Sequence, residues 1–368
     1  MGHIKCAEAL EEKITSAHPD SKVFTVDVMD YMFPHLSSLI YKSFSLLVTK
    51  LPGMYNLCNK GAAKYGGVPL KRTIARKIEK LIEYTNPDLV IANLPVCSKY
   101  FSAYKDFSGC SIPLYTYITD ITVHEEWLAD NTDLYFVGDN STMQALISKG
   151  VSEEKIIISG IPVKSCFNVD SNNKENSSVS QTIETLNTDK NRNILIMGGG
   201  LGLIPGGTHF LKCINDMPEL HATLIAGKNK KLARKVAHQF PNINVIGYTD
   251  KVCEYMKAAD LIITKPGGIT TFEAIASRTP LYVINPYLEQ EMGNAYFIES
   301  SNIGRIIRNN SSETSIGDDL CSFMRRNSLL NKMKNNMDMI SSGFSCSDPI
   351  YYYRKNLKKS TAGGVQNV

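Results

Sequence analysis

Several features are missing from this chain of 368 residues, and each absence narrows its reading. No apolar run approaches the roughly 20 residues that a membrane-spanning helix needs. The nine cysteines are scattered, with no C-x-x-C pair, and no histidines cluster at metal-ligand spacing. That argues against a zinc ribbon or a disulfide framework, and suits cysteines that fill a core in a reduced, cytoplasmic compartment. There is no Asp-x-Asp pair. No Asp or Glu occurs from Tyr31 to Ile78. No nucleic-acid recognition motif is present. The opening residues read as a polar helix and not as a signal peptide.

What is present fits a globular α/β protein. Hydrophobic residues make up 43% of the chain, and its length suggests two domains. The most informative stretch runs from Asp260 to Asn294. Leu261 to Ile263 is a short apolar run of buried-strand type, broken by Lys265-Pro266-Gly267-Gly268. Ile269, Phe272 and Ile275 then recur at helical spacing as far as Ser277, and Leu281 to Ile284 reads as a second buried strand. This is a strand–turn–helix–strand unit of an open parallel sheet, in which ligands sit beyond the carboxyl ends of the strands. A Gly-Gly turn at a helix N-terminus offers backbone N–H groups to a phosphate, or is a plain structural turn. Glu273, about one turn inside the helix, has a carboxylate able to accept both hydroxyls of a ribose.

Other predicted strands are Lys22 to Val28, Pro87 to Ala92, Pro113 to Ile118, Leu134 to Val137, Ile156 to Ile158, Ile194 to Met197, His221 to Ala226 and Asn244 to Ile246. The first residues predict a helix with Ile4, Ala7, Leu10 and Ile14 on one face. Asn168 to Asn193 is polar and lacks an apolar period, as a linker does. Gly198 to Gly207 is a Gly-rich loop that fits neither of the common phosphate-binding patterns.

The run Lys265 to Gly268, Thr270, Glu273-Ala274, Pro286, Gln290-Glu291 and Asn294 resembles the nucleotide-sugar site of the GT-B glycosyltransferases. The branch is that of the diacylglycerol glucosyl- and galactosyltransferases, related to MurG. Glu289 departs from a glycine common there. Gly2-His3 with Ala7 and Leu10 resembles the family's G-H-x-x-A motif entered halfway, so the sequence reads as truncated, with the first strand of its first domain missing. Thr119, Asp120, His124 and Trp127 resemble the family's T-D-x-x-x-H-x-x-W element. Pro52 to Tyr55, Gly160 to Val163 and the loop Gly198 to Gly207 match further pieces.

The resemblance implies two Rossmann-like, doubly wound domains facing a cleft. Residues 1–167 would form an acceptor domain, 168–193 a linker and 194–345 a UDP-sugar domain. Residues 346–359 would form a helix returning to the first domain, and 360–368 a frayed tail. The implied reaction is inverting transfer of a hexose, most simply glucose, from a UDP-sugar to 1,2-diacylglycerol at the inner face of the cell membrane. No metal or cofactor is implied. A MurG-like GlcNAc transferase and an inactive UDP-sugar-binding protein that docks on membranes are the alternatives. His3 would be the base, with Asp120 and His124 the other catalytic candidates. Gly199, Gly200, Gly202, Gly247, Tyr248, Lys265, Gly267, Gly268, Ile269, Thr270, Glu273, Gln290, Glu291 and Asn294 would hold the donor. Capping is the plainer reading of Gln290 and Glu291, and support of the turn that of Asn294.

The acid-free stretch carries Lys42, Lys50, Lys60, Lys64, Lys71, Arg72, Arg76 and Lys77 among aromatic and aliphatic residues. A solvated helix face is one reading of it and an anionic bilayer surface the other; the resemblance favours lipid. Lys42, Phe44, Leu47, Lys50, Leu51, Tyr55 and Trp127 are the expected membrane or acceptor contacts. Each basic group near an anionic surface contributes about 1 kcal/mol, screened over about 10 Å at 0.1 M salt. The protein is therefore expected to co-sediment with anionic vesicles at low salt and to be released by salt. Replacing Lys42, Lys50, Lys60 and Lys64 by Gln should abolish that binding. Equal binding before and after the replacement would return the stretch to an ordinary solvated face.

Overall fold

A computed structural model describes residues 2–34, 36, 71–169, 192–198, 207–284, 289–307 and 313–363. The calls at Lys42, Phe44, Leu47, Lys50, Leu51 and Tyr55, at Gly199, Gly200 and Gly202, and at Pro286 lie outside these residues, as does most of the linker. The chain divides into two compact units. One comprises Gly2–Pro162 with Phe344–Val368, and the other Val163–Gly343.

The first unit opens with α1 (Gly2–Ala17) and α2 (Val28–Met32), then α3 (Lys71–Thr85). The strands β1 (Val90–Ala92), β2 (Leu114–Tyr117), β3 (Leu134–Val137) and β4 (Ile156–Ile158) follow. They alternate with α4 (Pro95–Ser108) and α5 (Asn140–Ser148). The sheet is parallel, in the order β1-β2-β3-β4. β2 and β3 are buried at every position, as strands covered on both faces must be.

Lys22 to Val28 is not a strand. Residues 21–27 have no ladder partner among the described residues, and Phe24 and Val26 are exposed. The Asp27 carboxylate accepts from the N–H groups of Met29 and Asp30 at 3.0 and 3.2 Å, so Val28 begins a capped helix instead. The buried face of α1 is Cys6, Ala9, Leu10 and Ile14, with Ile4 turned to solvent. β1 starts only at Val90, because Asn86 takes a left-handed φ of 41° and Pro87 has no N–H for a ladder. Lys71 pairs with Asp106 at 2.8 Å, and the Lys77 ammonium donates to the Met32 carbonyl at 2.7 Å. Two of the basic groups in the acid-free stretch thus have partners outside it or on its own backbone. Of the described cysteines only Cys6 and Cys253 are buried, fewer than a core-filling role predicts.

The second unit is a six-stranded parallel sheet. In chain order it holds β5 (Arg192–Met197), α6 (Gly207–Asn215), β6 (Leu220–Ile225), α7 (Lys230–Gln239), β7 (Ile243–Ile246), α8 (Val252–Ala258) and β8 (Leu261–Thr264). Then come α9 (Gly268–Ala276), β9 (Leu281–Ile284), α10 (Glu289–Ser300), β10 (Gly304–Ile307), α11 (Glu313–Met324) and α12 (Asn327–Ser342). The strand order is β10-β9-β8-β5-β6-β7, so the winding direction reverses between β5 and β8. One core of Ile, Leu and Phe side chains joins the strands to their covering helices.

The chain then returns to the first unit. Ser345 N–H donates to the Ile158 carbonyl at 2.8 Å, His18 meets Asp348 at 2.7 Å, and the Tyr117 hydroxyl donates to the Ser347 carbonyl at 2.9 Å. α13 (Pro349–Gly363) follows, with Tyr352 edge-on to Phe136, which is itself stacked on Tyr117 at 4.2 Å. The helix continues past Lys359, where a frayed tail was expected to begin.

Strand β10 had no clear apolar signature, since it opens with Gly304-Arg305. Gly304 is dictated by space. A Cβ there would lie 2.5 Å from the Leu281 carbonyl oxygen and 2.7 Å from Ile298 Cγ2. Neither the paired strand nor the helix behind it can withdraw cheaply. Gly304→Ala should therefore cost about 1–3 kcal/mol of stability. Urea denaturation followed by tryptophan-independent far-UV circular dichroism would read it, and an unchanged midpoint would show that the sheet edge yields.

Candidate active site

Two clusters of candidate residues form, one in each unit. In the second unit they gather at the reversal of winding. β5 and β8 are parallel neighbours, with Met197 opposite Thr264. Crossovers leave these two strands toward opposite faces of the sheet, which opens a crevice beyond their carboxyl ends. The Lys265-Pro266-Gly267-Gly268 turn leaves the end of β8 and delivers the chain into α9. Gly267 is the N-cap, with φ −83°, ψ 141° and no side-chain cap. The N–H groups of Gly268, Ile269 and Thr270 therefore open the helix with no intrahelical acceptor available. The Gly267 N–H had been assigned to a phosphate as well. It is instead bonded to the Lys265 carbonyl at 2.9 Å, so the turn uses it internally.

Asn294 fastens the turn from α10. Its carboxamide Nδ2 donates to the Pro266 carbonyl at 2.8 Å, and the residue is only 2% exposed. Of its two predicted uses, support of the turn is the one this contact serves. Lys265 Nζ lies 3.6 Å from the Glu291 carboxylate in the first turn of α10. An acid there also suits the helix N-terminus. Gln290 sits in the same first turn. Glu273 is half-buried, one turn inside α9, with Ile269 buried and Thr270 half-buried before it. Gly247 follows the end of β7, and the exposed Tyr248 ring carries the Lys228 ammonium 5.9 Å from its centre.

In the first unit His3, Asp120, His124 and Trp127 come together. His3 lies in the first turn of α1. Asn93 follows β1, and Thr119 and Asp120 follow β2, so all three stand at carboxyl ends of neighbouring strands. His3 Nδ1 is 2.8 Å from the Asn93 carbonyl oxygen and 2.9 Å from the Thr119 hydroxyl. The Asn93 carboxamide donates back to the His3 carbonyl at 2.6 Å. Burial holds the His3 imidazole below its ordinary 6.5, against the opposing pull of Asp120. Burial raises the Asp120 carboxyl, while His3 and His124 draw it back down. His124 Nε2 is buried without a hydrogen-bond partner.

Trp127 does not fit its predicted role as a membrane or acceptor contact. It is fully buried in a cluster with Ile118, Tyr135, Val137, Leu146 and Ile156. Its indole N–H donates to Asp120 at 3.3 Å, and its ring lies 6.2 Å from that of His3. It packs the cluster and orients the acid. Asn93 was missed from sequence. The only available signal was its place directly after the Val-Ile-Ala strand. Among the described residues no group of acids, cysteines and histidines could hold a metal ion, and no helix is long and apolar enough to cross a membrane.

Residues 3–163 match the family model of monogalactosyldiacylglycerol (MGDG) synthase, and residues 193–344 that of the glycosyltransferase family 28 C-terminal domain. A processive diacylglycerol β-glucosyltransferase of Bacillus cereus is 27% identical over 324 residues, spanning 84% of this chain and 80% of the relative. One of Staphylococcus carnosus is 31% identical over 253 residues, spanning 67% of this chain and 61% of the relative. The fold is also that of Acinetobacter baumannii MurG, with a TM-score of 0.53 at 14% identity over 77% of each chain. The two family models fall on either side of residues 164–192, and each covers the cluster found in its own unit. The chain belongs to the GT-B glycosyltransferases of the monogalactosyldiacylglycerol synthase and diacylglycerol glucosyltransferase family, and is a UDP-sugar-dependent glycosyltransferase.

Proposed function

We propose that the protein transfers glucose from UDP-glucose to the free hydroxyl of 1,2-diacylglycerol, with inversion at the anomeric carbon, at an anionic membrane surface. The observation that carries the donor half is the uncapped N-terminus of α9 at the reversal of winding, with Glu273 one turn behind it. The acceptor class rests on the relatives, which are diacylglycerol glucosyltransferases.

Three tasks divide among named groups. The N–H groups of Gly268, Ile269 and Thr270 and the dipole of α9 stabilise the diphosphate as it departs with the bonding electron pair. Glu273 accepts the ribose hydroxyls. Gln290 and Glu291 address the sugar, with Glu291 held by Lys265. His3 Nε2 takes the acceptor proton as the lipid oxygen forms its bond to the anomeric carbon and the bond to UDP breaks. Asp120 faces the imidazolium so formed and offsets its charge. His124 is a second histidine neighbour of Asp120. Backbone donors do the work a metal would do at the leaving group, so activity should persist in EDTA.

Incubating the full chain with UDP-glucose, UDP-galactose or UDP-GlcNAc and vesicles containing diacylglycerol tests the reading. Glucosyldiacylglycerol is the expected product. Product from UDP-galactose alone would change the donor, and hydrolysis without lipid product would remove the acceptor. Glu273→Ala should weaken UDP binding by about 10- to 150-fold, the equivalent of a charged hydrogen bond of about 1.5–3 kcal/mol. Calorimetric titration reads it, and unchanged affinity takes Glu273 out of the ribose role.

The pH dependence follows from the imidazole. Protonation of His3 removes the lone pair that accepts the proton. With its folded pKa lowered, the active neutral form persists as pH falls below 6.5 and is lost only at the lower value. The acid limb of kcat/KM should therefore lie below that of a free imidazole. A limb above 6.5 would assign the base to another group.

A further inference from the structure

We propose that Asn93 and Thr119 are positioning residues for His3, fixing its ring as the Nδ1–H tautomer and leaving Nε2 as the basic nitrogen. This rests on the reading of His3 as the acceptor base and adds what makes that base usable.

The tautomer follows from the partners. A carbonyl oxygen has lone pairs and no proton to give. At 2.8 Å from the Asn93 carbonyl, His3 Nδ1 must therefore carry the hydrogen. The other tautomer would set two lone pairs against each other. The Thr119 hydroxyl oxygen, 2.9 Å from the same nitrogen, shares that proton from a second side and restricts rotation of the ring. Nε2 makes no hydrogen bond among the described residues. Neutral imidazole and imidazolium both carry the Nδ1 proton, so the two contacts are unchanged when Nε2 gains one. The site is then arranged for the state after proton transfer without having to reorganise.

The Asn93 side chain supplies the other half of the device. His3 lies in the first turn of α1, where helices fray. The carboxamide donates to the His3 backbone carbonyl at 2.6 Å, beside the buried Cys6 one turn further along the helix. One residue thus holds the helix by its amide and the ring by its carbonyl. Thr119 is itself 4% exposed, so its contact with the ring is not an incidental surface bond. The carboxylate facing this ring is Asp120, on the loop after β2.

The test uses the full chain labelled with 15N at histidine, with the His3 signals assigned by their loss in His3→Gln. At neutral pH the wild type should show Nδ1 protonated and Nε2 bare. Thr119→Val keeps the volume and removes the hydroxyl, and Asn93→Leu removes the amide. Thr119→Val should free the ring to turn away from the Asn93 carbonyl, and Asn93→Leu, which keeps that carbonyl, should loosen the first turn of α1 that carries the ring, so each should convert the His3 signals to a mixture of tautomers. Each should also lower kcat by about 10-fold or more, part of the roughly 100- to 10,000-fold that a positioned base supplies. KM for the UDP-sugar should stay within about twofold, since the donor is held elsewhere. Thr119→Ser should restore both readouts, which mere packing of the methyl group would not explain. A wild-type ring protonated at Nε2 would overturn the inference. So would folded variants that keep wild-type kcat. Absence of any glycosyl transfer by the wild type would instead sink the functional reading, while the 15N spectrum still decides the tautomer.

Discussion

The pairing of β5 with β8 is the constraint on which the second unit depends. Parallel neighbours joined by a crossover normally continue in one direction across a sheet. Here the chain builds β6 and β7 on one side of β5, then crosses back to lay β8 against the other side. β5 and β8 end side by side at Met197 and Thr264, where the strand order reverses, the place at which such sheets leave a crevice. The Lys265 to Gly268 turn stands at that place because β8 ends there, and its direction into α9 aims the helix N-terminus at the same space. A ligand carrying a diphosphate meets backbone N–H groups at such a point without any cationic side chain being required.

Both clusters are held by the same chemistry. In each unit an asparagine carboxamide donates to a backbone carbonyl of the candidate site: Asn294 to Pro266 at 2.8 Å and Asn93 to His3 at 2.6 Å. A carboxamide bonds a carbonyl strongly without introducing charge. Neither contact therefore adds a charge beside Asp120 in the first unit or Glu291 in the second. A lysine in place of either asparagine would hold the backbone equally well but would shift the ionisation of the groups nearby. Lys265 is the one cation built into the turn, and Glu291 lies within 3.6 Å of it.

Much of this was legible in the sequence, for identifiable reasons. Strands such as Leu134 to Val137 and Leu281 to Ile284 are unbroken apolar runs between strong turn signals, and they fall where periodicity puts them. The unit from Asp260 to Ser277 was readable because its turn residues are chemically unambiguous. Lys22 to Val28 misled because alternation of apolar and polar residues describes a surface, whereas a strand requires a neighbour to pair with; Asp27 offered a helix cap instead. Trp127 misled because its residue type marks both interfaces and cores, and only the fold shows it fully buried. Asn93 was invisible because its contribution to the ring passes through its backbone carbonyl, which every residue possesses.

The basic stretch shows how charge counted along a sequence overstates charge available to a surface. Within Tyr31 to Ile78 the cations face no acid, yet the fold supplies partners from elsewhere. Lys71 reaches Asp106 on α4. Lys77 donates to the Met32 carbonyl and lies 5.9 Å from the centre of the Phe33 ring. The Lys71 pair is exposed and worth about 1 kcal/mol at most, so an anionic surface could compete for that lysine. Lys77 is different, because its ammonium ties α3 to the end of α2 and would have to release a backbone carbonyl. On α3 the cations left facing solvent are Arg72, Arg76 and Lys80, on the side opposite the buried Ile74, Ala75 and Ile78. A bilayer approaching this helix would meet two guanidinium groups and an ammonium. At about 1 kcal/mol each, they supply attraction and orientation but not residence. Lasting attachment to such a surface would have to come from apolar side chains entering it, which Arg72, Arg76 and Lys80 do not supply.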